Sequence, residues 1–121
     1  FWFGIEGESV ISLRSYAKQE KSYESIELLE DSELYVLNMK TLYKLFDIDI
    51  NISNWGRKLV EREWLLLEER FISRQTNTAK ERYLSLLTNY PFLLQRVSLG
   101  HIASYLGITQ VSLSRIRAEI K

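Results

Sequence analysis

From Ser98 to Lys121 the apolar residues follow a spacing that few folds can satisfy. Ile102 and Leu106 stand four apart, Leu113 and Ile116 three apart, with Ala103 among them and Gly107 at the break. Each pair marks one face of a helix, and Ala103 leaves room where two helices would cross. Gly107 supplies the positive φ that a sharp turn demands. Ser98 and Thr109 are placed to accept hydrogen bonds from the first amides of two helices, the second running from Gln110 to Ile120. Two short helices joined this way make a helix-turn-helix, a device that lays its second helix in the major groove of duplex DNA. An ordinary helical hairpin does not ask for the turn glycine, the small residue and the basic outer face together.

What is left outward on the second helix is Gln110, Val111, Ser112, Ser114, Arg115 and Arg117, rich in hydrogen-bond donors and free of acids. His101, on the outer side of the first helix, is either an ordinary surface or capping residue or a phosphate contact. The zero net charge of the 121 residues conceals an asymmetry that favours the same end. Residues 1–50 carry five Lys/Arg against ten Asp/Glu, 51–77 five against four, and 78–121 six against two. Phosphate neutralisation supplies most nonspecific DNA affinity, so the basic back end is the one suited to nucleic acid.

A chain that is 45% hydrophobic has enough apolar material for a packed core. No apolar run approaches the length of a membrane span, and the absence of Cys removes thiolate metal sites and fits a reducing, cytoplasmic setting. Catalysis is not expected. One His, no Cys, no G-x-S-x-G and no P-loop leave neither a nucleophile-base pair nor a phosphate cradle, and Glu6 and Glu8 read as solvated surface.

Ahead of the back end the pattern changes twice. Phe1 to Phe3, Ser9 to Leu13, Ser25 to Leu28 and Glu33 to Asn38 alternate like strands, with Glu30-Asp31-Ser32 as a turn. The abrupt aromatic start suggests a fragment whose earlier strands are missing. Asn38 then caps a short helix over Met39 to Phe46. Asn51 to Gln75 reads as one long helix with two apolar stripes. Ile52, Leu59 and Leu66 recur every seven residues, while Val60, Trp64, Leu67 and Phe71 form the second stripe. A small domain covers one stripe, and the seven-residue set with Trp55 beside it is read as the seam of a homodimer, the alternative being burial between two domains of one chain. Gly56 marks either the first helical turn or a close approach of backbones. Thr78-Ala79-Lys80-Glu81 is a capping box opening a further helix to Asn89, which Pro91 ends. The expected architecture is α+β: part of a β-roll over 1–50, a dimerisation helix over 51–77 and a helix-turn-helix domain over 78–121.

The run Glu81 to Leu87, then Leu93 to Val97, then Ile102 to Arg117 resembles the Crp/Fnr family of bacterial transcription regulators, and Ile26 to Leu37 resembles the last strands of that family's cyclic-nucleotide-binding β-roll. The resemblance implies a homodimer, a sensory β-roll, a winged-helix domain on double-stranded DNA, and RNA polymerase as a further partner. It places Thr109, Gln110, Val111, Ser112 and Arg115 on DNA, with Ser98, Ser114 and Arg117 completing the set. Arg115 falls where the family often reads guanine, its planar fork matching O6 and N7 of that base. Gln110 either pairs with adenine or holds a phosphate. Val111 stands where relatives commonly carry Glu, and a valine cannot accept from cytosine but can press on a thymine methyl. The family's Gly-Glu and Arg-Ser/Thr cassette is missing from Val10 to Leu13 and Lys21 to Tyr23. Gly7-Glu8 comes too early, and Arg14 or Lys21 would have to replace the phosphate partner. No cyclic nucleotide, metal or other cofactor is therefore expected, and the effector stays open. The competing function is an interaction or dimerisation module whose helix-turn-helix no longer binds DNA.

Overall fold

The computed structural model describes residues 2–120 and divides them into two compact units, 4–66 and 2–3 with 67–120. Among the described residues seven helices run in chain order: α1 (Leu13–Lys18), α2 (Met39–Ile48), α3 (Ile50–Thr76), α4 (Ala79–Asn89), α5 (Leu93–Arg96), α6 (Leu99–Leu106) and α7 (Gln110–Ile120). Among the described residues there is no strand. That overturns the α+β expectation, and with it the β-roll and the cyclic-nucleotide-binding-like domain.

The strand pattern fails for two physical reasons. Ser12 diverts its segment into helix: its hydroxyl accepts from the Ser15 amide at 3.4 Å and starts α1 one residue later. A strand also needs a neighbour for its backbone groups, and alternation alone provides none. Residues 25–38 run without a ladder, leaving Ile26, Tyr35 and Val36 exposed to 63, 96 and 89%. Where a turn was expected at Glu30 to Ser32, the chain bends at Leu29 and Glu30 and the Ser32 hydroxyl donates to the Glu30 carbonyl. Of the first expected strand, Phe1 lies outside the described residues.

In the unit 4–66, packing centres on Tyr16, Tyr43 and Phe46, whose ring centroids lie 5.7 to 6.3 Å apart. Asn38 caps α2 through its side-chain oxygen, as its position in the sequence foretold. Asp49 does the same for α3, accepting from the Asn51 amide at 2.8 Å. The Tyr43 hydroxyl donates to the Tyr16 carbonyl at 2.6 Å, and burial followed by the neighbouring Tyr43 pushes the Tyr16 hydroxyl pKa up. Gly56 is where α3 meets this cluster. A Cβ there would sit 2.6 Å from Phe46 Cε1 and 3.3 Å from the Tyr16 hydroxyl, so the glycine makes room for an aromatic ring. Gly56→Ala would gain up to about 1 kcal/mol of helix propensity and lose about 1–3 to overpacking, a net destabilisation that urea denaturation should report.

In the unit 2–3 with 67–120, α4, α5, α6 and α7 close over Tyr83, Leu86, Leu93, Ile102, Leu106 and Leu113. Thr78 and Glu81 complete the anticipated capping box at the start of α4. The Thr78 amide donates to the Glu81 carboxylate at 2.7 Å, and this bond, then the Thr78 hydroxyl, holds the Glu81 pKa below its ordinary 4.5. A carboxylate lowered on folding stabilises the helix above its unfolded pKa and loses that effect as pH falls through the folded value. The first turn of α4 should therefore loosen below pH 4.5 and not above it, which an amide exchange profile of residues 79–82 would follow.

Candidate nucleic-acid interface

The two helices of the anticipated motif are α6 and α7, and their contacts form from the bottom up as the spacing requires. Ser98 opens α6 by accepting from the His101 amide at 3.3 Å, and the same hydroxyl lies 3.0 Å from His101 Nδ1. Thr109 opens α7 by accepting from the Ser112 amide at 3.1 Å, with the two hydroxyls 3.0 Å apart. Gly107 has φ of 69°, the left-handed conformation the turn needs. The Ile108 amide donates to the Ala103 carbonyl and the Gly107 amide to that of Ser104, both at 3.0 Å. That pair of bonds is a Schellman ending. Ile102 and Leu113 are fully enclosed at 0% exposure, with Ala103 and Leu106 buried beside them and Ile116 packed against the cluster.

Burial of Leu113 fixes which side of α7 faces water. Thr109, Gln110, Val111, Ser114 and Arg115 are exposed, as is Ser98 at the start of α6, whereas Ser112 and Arg117 are half-buried. At 100° per residue, Val111, Ser114 and Arg115 cluster opposite Leu113, while Gln110 sits at the helix start and Arg117 towards its packed side. Ala118 joins the outer face, and its methyl lets a flat surface come close. Glu119 is also exposed, and its carboxylate is 3.3 Å from Lys80 Nζ. Between groups this open to water the pair adds little stability, but it draws the acid towards α4.

Two further arginines, on which the sequence pattern is silent, reach the turn. Arg74 donates to the Tyr105 carbonyl at 3.3 Å. Arg82 donates to the Leu106 carbonyl at 3.1 Å and to the Asn77 carbonyl at 2.6 Å. Burial, then Tyr90, raises the Tyr105 hydroxyl pKa, with Arg70 and Arg74 pulling the other way.

The four residues expected at a dimer seam do not share one environment. Leu59 is buried in its own unit, Ile52 and Leu66 are half-buried, and Trp55 is exposed. Of the other stripe, Trp64 is 67%, Leu67 46% and Phe71 65% exposed and Val60 is half-buried, while Ile50, Leu65 and Ile72 of α3 are exposed as well. Two of the residues weighed for an effector at the front, Arg14 and Glu8, have partners close by in the chain. Arg14 pairs with Glu20 at 3.1 Å, and Glu8 accepts from the Ile5 amide in a turn where Gly7 has φ of 78°. Among the described residues no group of three or more His, Asp or Glu could hold a metal ion, and no helix is long and apolar enough to cross a membrane. No protein-family model, curated protein or solved structure matches the chain.

Proposed function

We propose that the chain is a dimeric regulator of transcription of the Crp/Fnr kind, binding double-stranded DNA through α7 of each copy, in the cytoplasm and in reach of RNA polymerase. One observation carries the proposal: the Val111, Ser114 and Arg115 side of α7 is open to water while Leu113, on the same helix, has no exposure at all. A helix anchored on one side and studded with donors on the other can present those donors to base edges, and the hydroxyls of Thr109 and Ser114 suit the flanking phosphates. The excess of bases over acids in 78–121 supplies the sequence-independent attraction.

Dimerisation is assigned here to Val60, Trp64, Leu67 and Phe71. They follow one another at four, three and four residues, the alternation of a two-stranded coiled-coil seam, and three of them, Trp64, Leu67 and Phe71, are exposed. Two α7 helices related by a twofold axis call for a pseudo-palindromic site with half-sites about one helical turn apart. Fluorescence anisotropy with labelled duplex tests the DNA role. Affinity should fall steeply between about 50 and 200 mM salt as counterion release weakens. Absence of binding at low salt would contradict it.

A further inference from the structure

A helix ends with four backbone carbonyls that have no partner within it, and in α6 those are Ala103, Ser104, Tyr105 and Leu106. The first two are satisfied by the Ile108 and Gly107 amides of the turn itself. The remaining two are satisfied from outside the motif, by Arg74 and Arg82. Each guanidinium also brings positive charge to the negative end of the helix dipole. The two clamps are unlike in their anchoring. Arg74 comes from the last turn of α3, is exposed, and has its guanidinium carbon 3.7 Å from where a Gly107 side chain would begin. Arg82 is half-buried on α4, and its second bond, to Asn77, ties the break between α3 and α4 to the same turn.

We infer that Arg74 and Arg82 are positioning residues for base readout: by holding the last two carbonyls of α6 they fix the turn at Gly107, and through it the direction in which α7 presents Arg115. They act through the peptide groups of the turn and not on DNA. This rests on the duplex-binding role proposed above for α7. It goes beyond that role because neither arginine lies on the recognition helix and both are occupied by backbone acceptors.

A positioning arginine and a phosphate-binding arginine leave different traces. Removing a phosphate contact weakens binding to all sequences and lowers the salt slope by about one. Removing a clamp lets α7 wander, which weakens specific binding while the salt slope and nonspecific binding stay. The variants are Arg74→Gln and Arg82→Gln in the full chain, with Arg74→Lys as the conservative rescue. Arg74 is exposed, so its substitution leaves the core intact, and far-ultraviolet circular dichroism verifies the fold of each variant.

Two readouts are taken. The first needs no DNA: amide exchange at Gly107 and Ile108 should speed up by about tenfold in each Gln variant, the effect of losing a charge-assisted hydrogen bond at the helix end, and return towards the original rate in Arg74→Lys. The second compares a pseudo-palindromic duplex chosen from a random pool with a scrambled one. The ratio of the two affinities should drop by about tenfold at unchanged salt slope. Unchanged exchange rates would overturn the inference, and so would faster exchange with an unchanged affinity ratio. A reduced salt slope would overturn it too, by making these arginines phosphate contacts. If the original protein binds no duplex at all, the proposed DNA role fails, and the exchange experiment still decides whether the clamp exists.

Discussion

Leu113→Ala is expected to destabilise the unit 67–120 by about 2–5 kcal/mol and to remove DNA binding with it. Leu113 has no exposed surface and sits where α7 crosses α6, so truncation deletes buried methyl groups and leaves a cavity between the two helices of the motif. Its neighbours cannot collapse freely into that space. Ile102 opposite is itself fully enclosed, and Gly107 in its left-handed conformation holds the two helices to one geometry. Urea denaturation followed by circular dichroism should show the midpoint falling with little change of slope. An unchanged midpoint would mean that α7 is not held through this residue, and the orientation of Arg115 would lose its basis.

The second large effect is expected from Trp64→Glu. Trp64 is the largest uncovered side chain of the Val60 to Phe71 stripe, and a carboxylate there would have to be buried against its symmetry mate. If the proposed dimer forms through this stripe, sedimentation should show a dimer for the original chain and a monomer for the variant. Operator affinity should fall by about 10²–10⁴, because the two half-sites would no longer be bound as one event. Glutamate is a good helix former, so α3 itself should keep its helicity. A variant that still sediments as a dimer would place the interface elsewhere.

Which stripe of α3 would join two copies is not legible from periodicity. A repeat every seven residues and a repeat of four and three are both helical seams, and periodicity cannot say which one the chain covers by itself. Gly56 held the clue. It falls four residues after Ile52 and three before Leu59, so the glycine lies on the face where α3 meets the Phe46 ring. Read as a mark of close packing within the chain, it points to the Leu59 side as the inner one.

Helices were legible where their ends carried local chemistry. Asn38, Thr78 with Glu81, Ser98 and Thr109 each bond within three residues of themselves, and each cap stands where the sequence put it. Strands were not, because a ladder is a nonlocal bargain: alternation in 25–38 states what the segment could bury if paired, and says nothing of a partner. The same distance hid the clamps. Arg82 lies 24 residues from Leu106 and Arg74 lies 31 from Tyr105, and neither spacing has a pattern that a linear reading can detect. The exposed arm of the candidate interface was legible for the converse reason, since once Leu113 and Ile116 are inside, helical geometry alone turns Val111 and Arg115 out.

Selection of bound duplexes from a random pool, carried out in parallel with the original chain and Arg115→Ala, tests most directly whether α7 reads bases. The original chain should enrich pseudo-palindromic sites with half-sites about one helical turn apart and a guanine at one position of each half. Arg115→Ala should keep its salt-dependent binding but lose preference at that guanine, by about 1–3 kcal/mol per contact. Enrichment of no symmetric site, or the same site and the same guanine preference from both proteins, would contradict the account.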